Sequence, residues 1–298
     1  MRLFTKAFLL VLAAHSFAAA EATQQRFPSP EAAMHALDSA LREKKTDRVE
    51  AILGPESGTI ISSGDAVDDE SARQRFLAAA GKKTRIEQTD DGTMAIVLLG
   101  SDDWPFPIPL VRDGNERRFD TPAGKEELLN RRIGRNEIIT ISACRAYVDA
   151  QNEYHARFGA YAKSFRSTPG QKDGLYWEET DGDESPLGPL VATASAEGYQ
   201  HPKGEEATLT PYHGYIYRIL TAQGPHGPGG EMSYVKDGKM VGGFALVAWP
   251  AEHGVSGVMT FMVSREGVVY QKDLGAGTSE AVKAITAFDP DASWDPTR

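Results

Sequence analysis

Hydrophobic periodicity changes three times along this chain, from helical to strand-like, back to helical and to strand-like again, and that order confines it to an α+β fold. The first helical signal opens at Phe27-Pro28-Ser29-Pro30-Glu31. Ser29 can accept free amide hydrogens, Pro30 suits the first helical position, and Glu31 favours the positive end of the dipole. Met34, Leu37 and Leu41 then recur at spacings of three and four up to about Lys44. A second short helix is expected from Asp47, carrying Val49, Ile52 and Leu53 and stopped by Gly54-Pro55. A third is expected from Asp69 to Ala80, with Phe76 and Leu77 inward and Gly81 ending it. Four short strands follow at Thr84 to Gln88, Met94 to Leu99, Ile108 to Arg112 and Glu116 to Asp120, separated by turn residues, which predicts an antiparallel meander.

From Lys125 the helical period returns and persists to about Phe158, with a break expected at Gly134. Ile138, Ile141, Cys144, Tyr147, Val148, Tyr154 and Phe158 form its apolar stripe. Residues 159–206 are rich in Gly, Pro, Asp and Ser, with one short helix expected at Leu190 to Ala196. The last third predicts strands at Tyr212 to Leu220, Gly242 to Trp249, Val258 to Ser264 and Val268 to Lys272. The expected organisation is a leader over 1–22, an N-terminal α+β domain over 27–123, a long helix packed on an antiparallel sheet over 124–288, and a tail over 289–298.

The leader follows from Arg2 and Lys6 before the apolar run Ala7 to Ala14 and the small-residue site Ala18-Ala19-Ala20, with cleavage after Ala20 or Ala22. The apolar run is too short to span a bilayer, and no later stretch approaches 18 unbroken apolar residues, so the mature chain is expected to be soluble in the periplasm or outside the cell. Of 298 residues, 41% are hydrophobic and 25% charged, which suits a globular protein. The formal charge of -10 becomes about -12 without Arg2 and Lys6, a field that repels nucleic acid and anionic headgroups. Cys144 is the only cysteine, so no intrachain disulfide can form, and its place in an apolar stripe reads as a small buried hydrophobe.

Candidate chemistry is sparse. His213, His226 and His253 sit near turns, but their spacing matches no metal-ligand motif and reads as exposed loop histidines. Asp181, Asp183 and Glu184 begin a calcium-loop pattern that lacks a Glu at its twelfth position, where Ala192 stands. Asp289, Asp291 and Asp295 read as a solvated acidic tail, and Arg131, Arg132 and Arg135 as a solvated helix face. Gly224 to Gly230 lacks a phosphate-loop ending, and Ser256 in Gly254-Val255-Ser256-Gly257 lies between two strands where a nucleophile elbow needs strand then helix. No cofactor and no metal is implied. The remaining candidates are aromatic. Trp104 and Phe106 are held between prolines, and Trp177, Tyr212, His213 and Trp249 can line a groove in the second half.

Several runs carry a family resemblance: Asp102 to Pro109, Arg131 to Glu137, Lys172 to Trp177, Pro211 to Tyr215, Ile219 to Pro225 and Gly242 to Glu252. With them the chain, from Phe27 to Trp294, resembles the bacterial domain of unknown function 2950 family. That resemblance implies an exported envelope protein and transfers no activity or catalytic residue. The first half is also similar to NTF2-like or cystatin-like cone folds. The second is similar to the globular part of type IV pilins and pseudopilins, without the membrane-spanning half of the pilin helix. The expected function is a non-catalytic binding or assembly module whose partner is another envelope protein or cell-wall glycan. The competing expectation is a periplasmic hydrolase using Asp102, Asp103 or Asp120 as general base.

Overall fold

The computed structural model describes residues 24–179, 182–200 and 210–297. The leader lies outside the described residues, as does Asp181 of the calcium-like loop. Within them the chain is an α+β protein built on antiparallel sheets.

Helix α1 (Pro30–Arg42) begins where Ser29 accepts the Ala32 amide at 3.2 Å, with Pro30 at its first position. Helix α2 (Thr46–Leu53) follows, then a single 3-10 turn and α3 (Gly58–Ile61). Helix α4 (Ala66–Lys82) starts earlier than its apolar residues predict, because Asp65 caps it, and it runs through Gly81. Strands β1 (Thr84–Gln88), β2 (Met94–Leu99), β3 (Trp104–Pro105), β4 (Leu110–Asp113) and β5 (Glu116–Phe119) form one sheet in the order β1-β2-β4-β5, with β3 paired to β2. Ala95, Val97 and Leu99 point from one face of β2 into a core that also takes Leu37, Ile52, Ile108, Leu110 and Phe119.

Helix α5 (Thr121–Phe158) is continuous through Gly134, whose Cβ position meets open space. Its stripe differs from the expected one. Ile138 is 67% exposed and Phe158 is also exposed, whereas Asn136, Thr140 and Gln151 are fully buried. The polar members of the buried stripe have partners that sequence spacing does not reveal. Gln151 donates to the Ala162 carbonyl at 2.8 Å and accepts the Ala162 amide at 2.9 Å, fixing the chain that leaves the helix.

After α6 (Gly188–Glu197), strand β6 (Tyr215–Leu220) opens the second large sheet. Two small ladders intervene: β7 (Ala222–Gln223) with β8 (Met232–Ser233), and β9 (Val235–Lys236) with β10 (Lys239–Met240). Strands β11 (Ala245–Pro250), β12 (Met259–Ser264) and β13 (Val269–Asp273) then continue the sheet, followed by the short helix α7 (Thr278–Ala281) and the edge strand β14 (Asp295–Pro296). The sheet order β14-β13-β12-β11-β6 is a meander in which every described pair is antiparallel. The last residues, expected as a tail, supply that edge strand and bury Trp294.

The buried apolar residues form two clusters, one on each sheet. A polar seam carried by α5 joins them, and it takes in Arg132 and Arg135 of the arginine face expected to be solvated, while Arg131 stays exposed. Arg132 is buried and donates to the Thr59 carbonyl at 2.7 Å and to the Ile60 carbonyl. Arg135 pairs with buried Asp68 at 3.2 Å. One turn on, Asn136 donates to the Ser256 carbonyl at 2.9 Å, and Glu137 accepts the amides of Val258 and Met259, each at 3.0 Å. One stretch of helix thus grips both halves.

Candidate functional site

Tyr212-His213-Gly214-Tyr215 forms the tight turn that organises the site. His213 has φ 47° and Gly214 φ 73°, and Tyr212 and Tyr215 exchange backbone bonds of 2.8 and 3.2 Å. Two successive left-handed residues between paired strand ends make a type I′ turn. Left-handed backbone is costly for a residue with a Cβ, and histidine tolerates it better than most.

The turn directs two amide hydrogens inward. Gly214 donates to Asp65 Oδ2 at 2.8 Å, and His213 donates to the Tyr199 hydroxyl at 3.0 Å. Tyr199 in turn donates to Asp65 Oδ2 at 2.9 Å, while Asp65 Oδ1 accepts the Val67 and Asp68 amides at 3.1 Å, capping α4. Asp65 is 2% exposed, so its charge is held by four donors in place of water. Burial and the adjacent Asp65 charge push the Tyr199 hydroxyl far above its ordinary pKa, so it stays protonated. His213 Nε2 lies 2.8 Å from Glu197 Oε2, its Nδ1 is buried without a partner among the described residues, and its ring meets Tyr212 edge-on at 4.5 Å.

Tyr199 and Tyr212 are also walls of an apolar cavity of about 220 Å³. Helix α6 supplies Leu190, Val191 and Ala194, α5 supplies Ala143 and Tyr147, and the sheet supplies Tyr217 and Leu246. Sequence places α6 here through Pro189 in its first turn and Gly198 at φ 102° as its left-handed end. The tyrosines differ in how they use their hydroxyls. Tyr147 donates to the Ala245 carbonyl at 3.2 Å, and Tyr217 reaches Thr140 Oγ1 at 3.3 Å. The Tyr212 hydroxyl has no hydrogen bond among the described residues, and burial with the nearby Glu197 charge pushes its pKa up to about 12.

Two of the six sequence candidates, Tyr212 and His213, come together here. The other four do not join them. Trp104 is 38% exposed at the other sheet, with the Arg131 guanidinium 5.1 Å from its ring, and Phe106 is core. Trp177 is buried, with Nε1 donating to the Asp183 carbonyl at 3.1 Å, and Trp249 is buried beneath Arg218. The loop histidines are also more engaged than expected, since His226 and His253 approach Asp289 and Asp273 at 3.0 and 2.8 Å. Cys144 is buried as read, and desolvation pushes its thiol up to about 12. Ser256 is fully buried, its hydroxyl bonded to Glu252 backbone.

Residues 24–297, nearly the whole chain, match one family model. The chain belongs to the family described as "Protein of unknown function (DUF2950)". In this DUF2950 member, the run Pro211 to Tyr215 that carries the resemblance builds the turn, and the run Arg131 to Glu137 builds the seam. No curated protein and no solved structure matches the chain, so the likeness to cone and pilin folds rests on sequence pattern alone. The site residues that sequence reasoning missed are Asp65, Glu197, Tyr199, Tyr147 and Tyr217. An acidic residue ahead of a helical run signals the cap at Asp65, but its partners Tyr199 and Gly214 lie 134 and 149 residues away. Among the described residues no helix is long and apolar enough to cross a membrane, and no His, Cys, Asp and Glu group is arranged to hold a metal ion.

Proposed function

We propose that this is an exported envelope protein acting as a non-catalytic binding module for another exported protein, with the tyrosine-walled cavity as its docking point. The cavity carries the reading. Concave, mostly apolar pockets with a few polar groups are the usual form of a binding site. At about 220 Å³ it is smaller than the 300 Å³ or more that whole ligands occupy, so it suits one anchoring group of a larger partner. That favours a polypeptide over cell-wall glycan, whose hydroxyl-rich rings call for a wider polar surface.

The hydrolase reading has less behind it. Asp103 is exposed and tied to Lys83 at 2.8 Å and Arg85 at 3.4 Å, and Asp120 lies at the start of α5 beside Arg118. Neither they nor Asp102 line the cavity.

The test places the photo-crosslinker benzoylphenylalanine at Gln200, an exposed residue lining the cavity, in the exporting cell and identifies the adduct by mass spectrometry. A polypeptide adduct lost in Ala194→Trp is expected. A glycan adduct, or one indifferent to filling the cavity, contradicts the reading. Export is checked separately by N-terminal sequencing, with Glu21 or Thr23 expected as the first residue and a retained Met1 counting against it.

A further inference from the structure

The ligand group can be narrowed by matching the cavity's size, its walls and the Tyr212 hydroxyl, which has no partner among the described residues. We propose that the cavity takes a single uncharged phenol-like ring, as on a tyrosine side chain of the partner, whose oxygen accepts a hydrogen bond from the Tyr212 hydroxyl. This rests on the binding reading above and specifies its ligand.

A dry cavity of about 150 Å³ is enough to hold one benzene ring. The present volume of about 220 Å³ leaves room for a ring with one or two substituents and too little for a long acyl chain or a disaccharide. Aromatic groups contribute much of the wall, including Tyr147, Phe165, Tyr199, Tyr212 and Tyr217, and rings favour edge-on or offset contact with other rings. Tyr147, Tyr199 and Tyr217 spend their hydroxyls inside the protein, whereas Tyr212 does not. Lining the cavity with no partner among the described residues, that hydroxyl can donate to the oxygen of a ring held there. The carboxylates of Glu197 and Asp65 stand behind Tyr212 and Tyr199 while Arg166 lines the wall, so the surrounding charge is mixed and the ring is selected by size and aromatic contact.

The experiment titrates the mature protein with p-cresol, toluene, cyclohexanol, benzoate and N-acetylglucosamine, read by ligand-observed NMR. Expected are p-cresol binding tighter than the others, its loss in Ala194→Trp, and an about tenfold weakening in Tyr212→Phe with toluene unchanged. Val191→Phe serves as a second filling variant should Ala194→Trp fold poorly. Cyclohexanol or benzoate binding as tightly as p-cresol overturns the proposal, as does p-cresol binding that survives both filling variants. Absence of binding by every probe overturns it too. If the Gln200 adduct still depends on an open cavity in those cases, the docking reading stands and only the ring assignment falls.

Discussion

Asp65 illustrates what one side chain does when its two oxygens serve different parts of a chain. One oxygen caps α4, and the other holds Tyr199 and the Gly214 amide from the second half. Removing it strands buried donors as well as an N-cap, so Asp65→Ala is expected to cost about 3 kcal/mol, read as a lower urea midpoint. Asn at this position keeps an acceptor for the cap and should cost less. On the surface the logic is electrostatic. Glu70 accepts from Arg73 and Gln74 and lies 3.2 Å from Lys44, which lowers its pKa from 4.5 to about 2. A folded-state value below the unfolded one contributes stability that is complete above 4.5 and lost as pH falls through about 2. Glu70→Gln should therefore flatten the acid limb of a stability-pH curve in that window and leave the neutral limb's slope unaltered, with a small effect because the site is solvated.

At the scale of elements, two glycines of α5 make opposite predictions. Gly134 has open space around its Cβ position, and alanine there is expected to add about 0.5–1 kcal/mol by raising helix propensity. A Cβ on Gly124 falls 2.7 Å from Ile108 backbone, so Gly124→Ala should cost about 1–3 kcal/mol as the helix is pushed off the preceding loop. Thermal melts of the two variants check both signs. The exposed Ile138 has the same lesson. Its spacing from Ile141 and Cys144 fits an apolar stripe, but the helix turns its Asn136 and Thr140 face inward because Ser256 and Tyr217 offer hydrogen bonds there. Periodicity counts apolar residues and is blind to polar residues whose partners lie 77 and 120 positions away.

For the whole molecule, two apolar clusters joined by a polar seam imply that cooperativity depends on the seam. We expect a single calorimetric transition in the parent chain. In the double variant Arg132→Ala, Asn136→Ala, where contacts to residues 59–60 and 256 are lost, the transition should separate into two. One transition persisting in that variant would show that the two clusters unfold as one unit regardless of the seam.

The chain by itself determined most of its elements: Ser29-Pro30 and Gly54-Pro55 punctuate the first helices, and alternation with turn residues marks the strands, because caps, φ limits and side-chain period are local properties. It also marked Tyr212 and His213 as candidates. Only the tertiary structure decided that Arg132 is buried, that Trp104 and Trp177 stand apart from the site, and that Tyr199, Asp65 and Glu197 converge on one turn. Those outcomes depend on which distant surfaces meet, and a carboxylate's partners or a ring's exposure become fixed only when two sheets and a shared helix have closed around them.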